Sequence, residues 1–179
     1  QDKIKVIEHP DYAGEALAMR VDAPPFDNQK VRLALNLAVD RAAISKQIYG
    51  GHADFPHLPM DETWEGYFTP PEKMPNEARE VLQYDPAKAK KLLAEAGLAN
   101  GFEFKAQVPS FPEQLKKAQI VAGYLSAIGV KMTIEPKEYG AFLSLMTTGK
   151  HGPGYWHFAG MSNPTASIEK LYRSSSVWN

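Results

Sequence analysis

The sequence runs to 179 residues, 44% of them hydrophobic, with a formal net charge of -1 and no cysteine. That is enough chain for one domain with a core of its own. It excludes disulfides, thiolate metal sites and cysteine nucleophiles, and it argues against nucleic acid as a partner, because neutralising phosphates takes a concentrated basic surface.

In chain order, Lys3 to Ile7 reads as a short strand and His9 to Gly14 as punctuation. Leu17, Met19 and Val21 alternate with Ala18 and Arg20, the pattern of a second strand with one buried face. After Pro24 and Pro25 comes a strong helical stretch. Asp27 is its expected N-cap, Phe26 and Val31 are placed for a hydrophobic staple, and apolar residues continue to Ile48 before Gly50 and Gly51. Residues 52–84 carry five prolines, with Trp64, Tyr67 and Phe68 among them, and read as a long irregular excursion whose aromatics pack down. Asp85-Pro86 restarts order as N-cap and first helical residue, with Ala89, Leu92, Leu93 and Ala96 as the buried stripe and Gly97 as the stop. Lys88, Lys90 and Lys91 read as the solvated face of that helix.

The next segment has the pattern strand, helix, strand. Phe102, Phe104, Ala106 and Val108 alternate with polar residues, and Ser110 to Glu113 fits a capping box. Leu115, Ala118, Val121, Ala122, Leu125 and Ile128 share a helix face, and Val130, Met132 and Ile134 alternate again. Short turns between such elements imply a parallel pair joined by a crossover helix. A further helix carries Tyr139, Phe142, Leu143 and Met146, Gly149 ends it, Tyr155 to Ala159 forms another strand, and a short helix follows Pro164. No run approaches the roughly 20 apolar residues of a membrane span. The chain begins at Gln1, with neither an initiating methionine nor a signal peptide, as a processed or excised piece would.

Several blocks are similar to the family 5 extracellular solute-binding proteins, the group of dipeptide, oligopeptide, nickel and opine receptors. They are Pro25-Phe26-Asp27 with Val31 to Asn36 and Ala38 to Arg41; Tyr84 to Lys90 with Leu92 to Gly97 and Asn100-Gly101-Phe102; and Gln119 through Leu125 to Ile128-Gly129-Val130. They keep their order over most of the chain. The resemblance implies an α/β, periplasmic-binding-protein-like lobe with a mixed sheet, a parallel βαβ core and flanking helices. It also implies that residues 1–179 form the second of two lobes, with most of the first lobe and the closing C-terminal segment absent. The function implied is substrate capture for an ABC importer. A small solute (a peptide, an opine or a related compound) is held between the lobes of a monomeric receptor and passed to a membrane permease. The place implied is periplasmic, or extracellular and membrane-tethered. The family pattern near residue 158 is Trp-x-x-Asp, whose aspartate pairs with a peptide's amino terminus. Here Phe158 stands for the tryptophan and Met161 for the aspartate. A methionine cannot neutralise an ammonium group, and a buried unpaired ammonium costs on the order of several kcal/mol. A ligand other than a free peptide amine is therefore expected.

Ligands of open α/β sheets sit beyond the carboxyl ends of the strands. That selects Ser110 and Phe111 after one strand, Tyr139 after the next, and Phe158 with Gly160, Met161, Ser162 and Asn163 after the last. The plain alternatives are a core role for Phe158 and Tyr139, and a helix cap for Asn163. Asp40 and Arg41 read as structural. His52 and His57 lack a zinc spacing, so neither a metal nor a cofactor is expected. No nucleophile elbow, phosphate loop, zinc-protease or dinucleotide motif is found, so an enzyme is not expected. A small α/β enzyme or an interaction module without a solute cleft are the rival readings.

Overall fold

The computed structural model describes residues 14–53 and 66–159, together with Thr165, Ala166, Ile168, Glu169 and Arg173. The strand expected over Lys3 to Ile7, Trp64 and the stretch 160–164 lie outside the described residues. Alternating apolar residues make four strands: β1 (Gly14–Met19), β2 (Phe102–Pro109), β3 (Val130–Lys137) and β4 (Gly154–Ala159). They form one mixed sheet in the order β1-β4-β2-β3. β2 is parallel to both β3 and β4, while β1 runs antiparallel to β4, with Leu17 opposite Trp156. The carboxyl ends of β2, β3 and β4 therefore share one rim, and the start of β1 lies beside the end of β4.

The crossover between β2 and β3 is α5 (Pro112–Ser126), as expected from its stripe. Phe104, Ala106 and Val108 of β2, Val130 and Met132 of β3 and Trp156 of β4 meet Ala118 and Leu125 of α5 in the main core. Leu17 and Met19 of β1 pack against it, whereas Val21, expected to continue that strand, lies beyond its end and is exposed. Full burial of a side chain such as Leu125 stabilises by about 1.5–3 kcal/mol. Alternation turns Tyr155 to the opposite face, where Phe142 and Met146 of α6 (Tyr139–Thr147) cover it.

The first helical stretch departs from expectation. Asn28, not Asp27, is the N-cap of α1 (Gln29–Leu37), and its side chain accepts the Lys30 N–H. The helix then breaks. Asp40 caps a second one, α2 (Arg41–Tyr49), by accepting the Ala43 N–H at 2.9 Å. With the cap at Asn28, Phe26 is not a staple. It is fully buried and meets the rings of Phe102 and Phe104 edge-on. Arg41 donates to Asn36, so the structural reading of Asp40 and Arg41 holds.

Part of the supposed irregular excursion is ordered, with a 3-10 turn at Pro71–Lys73 and a short helix, α3 (Asn76–Glu80). Tyr67 does not pack down; it is 66% exposed. Asp85 caps α4 (Pro86–Glu95) as predicted, through the Lys88 N–H at 2.8 Å, and α4 lies along α1 with the Lys30–Glu95 pair (2.7 Å) across the contact. Asp85 N–H also donates to Leu37 O, tying the start of α4 to the end of α1. Beyond β4, Thr165, Ala166, Ile168 and Glu169 are helical, in keeping with the helix expected after Pro164.

The parallel pair starts at a close approach. Gly101 and Gly129 precede β2 and β3 with φ of 74° and 86°. A Cβ on Gly101 would lie 1.8 Å from the Gly129 carbonyl oxygen. Glycine is needed at Gly101 both for its left-handed backbone and for the space.

Candidate functional site

Two described turns leave the carboxyl rim. They are joined directly: the Ser110 N–H donates to Lys137 O at 2.8 Å, carrying the β2–β3 ladder one residue past the strands. This explains why Ser110 is not a capping residue. The helix starts one residue later, with Phe111 at its boundary and Pro112 in the first turn, and no side chain caps it. Phe111 is thereby left at the rim. Its ring lies 5.3 Å from that of Tyr139, centroid to centroid, at 46°. The two are 45% and 42% exposed, so Tyr139 is not a core residue even though it opens the stripe that buries Phe142 and Met146. A half-exposed aromatic pair at two adjoining turns can wall a solute through apolar and π contacts.

Glu138 holds the second turn. Its side chain accepts the Ala141 N–H at 3.1 Å. Hydrogen bonds from the backbone N–H groups of Gly140, Ala141 and Tyr139 hold its carboxyl below the usual glutamate range, against a smaller opposing effect of desolvation. β4 ends at the same rim. The backbone of Phe158 pairs with Glu15 on β1, and Gly160, Met161, Ser162 and Asn163 lie outside the described residues. Of the residues selected from the sequence, Ser110, Phe111 and Tyr139 are thus brought together, where β3 ends and where β2, the neighbour of β4, ends.

A polar cluster beside this rim escapes the sequence reading. Glu15 of β1 accepts Trp156 Nε1–H at 3.0 Å and Lys117 Nζ at 2.8 Å. Gln114, its amide turned to donate, reaches both oxygens at 2.9 and 3.3 Å. Lys117 also pairs with Glu113 at 2.6 Å and lies 5.2 Å from the centroid of the Tyr49 ring. Lys117 is only 7% exposed. Burial alone would depress its ammonium, but Glu113, Glu15 and the Tyr49 hydroxyl outweigh it and hold the group above the usual lysine range. The one local sign of this cluster is the i,i+4 spacing of Glu113 and Lys117. The link to Glu15 spans 102 residues.

On the other face of the sheet, Tyr155 packs between His151 and His157, with ring centroids at 4.4 and 5.9 Å. Gln107 Oε1 accepts the Gly152 N–H nearby. Among the described residues, no group of three or more His, Asp or Glu side chains is placed to hold a metal ion. No helix among them is long and apolar enough to cross a membrane.

Comparison with known proteins agrees with this architecture. The heme-binding protein A of Haemophilus influenzae is 31% identical over 99% of the chain and 32% of its own length. The dipeptide-binding protein of Escherichia coli K12 is 33% identical over 84% of the chain and 28% of its own length. The chain therefore spans about a third of the length of the curated relatives it matches. Among solved structures, an ABC transporter-associated periplasmic binding protein from Helicobacter pylori in complex with peptide STSA superposes with a TM-score of 0.68 at 28% identity, over 87% of this chain and 29% of that one. An ABC transporter substrate-binding protein from Listeria monocytogenes shares the fold, with a TM-score of 0.78 at 22% identity over 96% of this chain and 34% of that one. The model of bacterial extracellular solute-binding proteins, family 5 Middle, matches residues 1–179, and the chain belongs to that family.

Proposed function

We propose that this chain is the second lobe of a two-lobe receptor for an ABC importer, and that its strand-end rim is one wall of the solute cleft. In this reading the receptor is a monomer, periplasmic or extracellular and tethered to the membrane, and acts without catalysis. Solute held between the lobes favours the closed form by its greater affinity for that form, and the closed form docks on the permease. The observation that carries the reading is the exposed Phe111–Tyr139 pair, set by adjacent turns at the shared carboxyl end of parallel strands. Half-exposed rings in contact are expected on a surface that meets a ligand, and strand ends of this kind are where α/β folds place one.

The solute class is a small peptide-like or opine-like compound. With Met161 at the position where the family pattern has an aspartate, the sequence offers no carboxylate there for a free amino terminus. The test is mass spectrometry of the solute that co-purifies with the full-length receptor, followed by calorimetry with that solute and with dipeptides. Tyr139→Ala is expected to weaken binding of the co-purified solute by about tenfold with an unchanged melting temperature, since the ring is half exposed. Unchanged affinity in Tyr139→Ala and Phe111→Ala would remove the rim as the site. Tight, amine-dependent binding of dipeptides would remove the argument from Met161.

A further inference from the structure

We infer that Glu15 is a positioning residue for the rim: one carboxylate, itself partly exposed but bonded to two buried donors, that fixes the Ser110–Phe111 turn relative to the end of β4. The inference rests on the reading of the rim as a ligand wall for its functional meaning, but not for its geometry. Glu15 sits opposite Phe158 in the β1–β4 register, one residue from the end of β4. Its two oxygens divide between the two structures that must be held together. One accepts Trp156 Nε1–H at 3.0 Å, from β4 two residues before Phe158. The other takes Lys117 Nζ at 2.8 Å, from the second turn of α5. Gln114, in the first turn of α5, donates to both oxygens. α5 begins immediately after Phe111, and Ser110 is bonded to Lys137, next to Glu138 and Tyr139. The chain of contacts therefore runs from β4 through Glu15 and α5 to Phe111, and on to Tyr139 by the ring contact.

The chemistry suits a fixed tie. Trp156 is 4% exposed and Lys117 is 7% exposed, so neither donor can readily exchange its partner for water. Two charge-bearing groups with directed hydrogen bonds specify a geometry that apolar packing alone would leave free to slide. Glu113 gives Lys117 a second carboxylate, but it lies on the same helix and cannot bind α5 to the sheet. Only Glu15 among these groups comes from β1. The Tyr49 ring, packed over the ammonium, belongs to α2 and closes the cluster from outside.

The test is amide and indole hydrogen exchange by NMR on this chain without ligand, comparing wild type with Glu15→Ala and Glu15→Gln. The expected result in Glu15→Ala is exchange faster by about tenfold at the Trp156 indole, Ser110 N–H and Leu115 N–H, with the amides of the β2–β3 ladder around Phe104 and Met132 unchanged. Glu15→Gln keeps a carbonyl acceptor for the indole and loses the charge for Lys117. It is expected to speed exchange at Ser110 and Leu115 while largely sparing the indole, and it carries the test if Glu15→Ala does not fold. Uniform acceleration across the ladder would make Glu15 a general stabiliser and overturn the inference. So would acceleration confined to the indole in Glu15→Ala, or no change at any of these groups. No solute enters the experiment, so its failure leaves the proposed function standing, and an unsuccessful solute titration leaves this inference standing.

Discussion

Glu138 shows how a single side chain shapes this rim. Its carboxylate caps α6 and stays ionised more readily than an ordinary glutamate because the Gly140 and Ala141 N–H groups point at it. A carboxyl depressed in the folded state contributes stability that is fully present above its unfolded pKa and is lost as pH falls through the folded value. Glu138→Ala should therefore lower the urea midpoint at neutral pH, and the difference from wild type should close in acid below the ordinary glutamate range. Urea titrations at the two pH values check this. A difference that persists undiminished in acid would show that the charge is not what holds the turn. In the core, Leu125 is fully buried between α5 and the parallel strands. Leu125→Ala should cost about 3 kcal/mol by urea unfolding, the usual sum of lost transfer energy and a partly relaxed cavity.

At the scale of elements, the parallel unit stands on the glycine contact that opens it. Gly101→Ala would drive a methyl group into the Gly129 carbonyl, which is backbone and cannot swing away. The expected loss is roughly 1–3 kcal/mol, read from chemical unfolding, whereas Gly123→Ala, inside α5 with open space around it, should stabilise by about 0.5–1 kcal/mol. β2, α5 and β3 were legible because each carries a complete local signal: alternation with period two, a stripe near 3.6 and a glycine at the stop. Asp85-Pro86 was legible for the same reason. The break between α1 and α2 was not, because apolar residues continue in phase through Ala38 and Val39, and Asp40 ends one helix only by capping the next. Ser110 had the right spacing for a capping box, but its N–H goes to Lys137 on another strand. Tyr139 follows the helical period yet faces out, because it sits in the first turn, where α6 has only just met the sheet. What the sequence could not show were partners set by tertiary placement, and Glu15 with Lys117 and Trp156 is the extreme case.

At the scale of the whole molecule, the sheet has its main core on one face, where α5 packs, and the smaller α6 cluster on the other. Its third boundary, the carboxyl rim, carries exposed rings and backbone turns. In the receptor proposed above, that rim supplies one of two walls. This chain by itself should bind the co-purified solute at least about a hundredfold more weakly than the full-length receptor, because half the contacts and the enclosure are missing. Equal affinity in calorimetry would place the whole site within these residues and overturn the two-wall reading.

The pairing of β1 with β4 has a mechanical consequence. Gly14 and Ala159 are partners across the antiparallel ladder, so the outer ends of β1 and β4 meet at one corner of the sheet, with backbones about 5 Å apart. A pull on either strand end would be shared by its partner through the ladder, and Glu15, one residue in from the corner, would pass it on to α5 through Lys117.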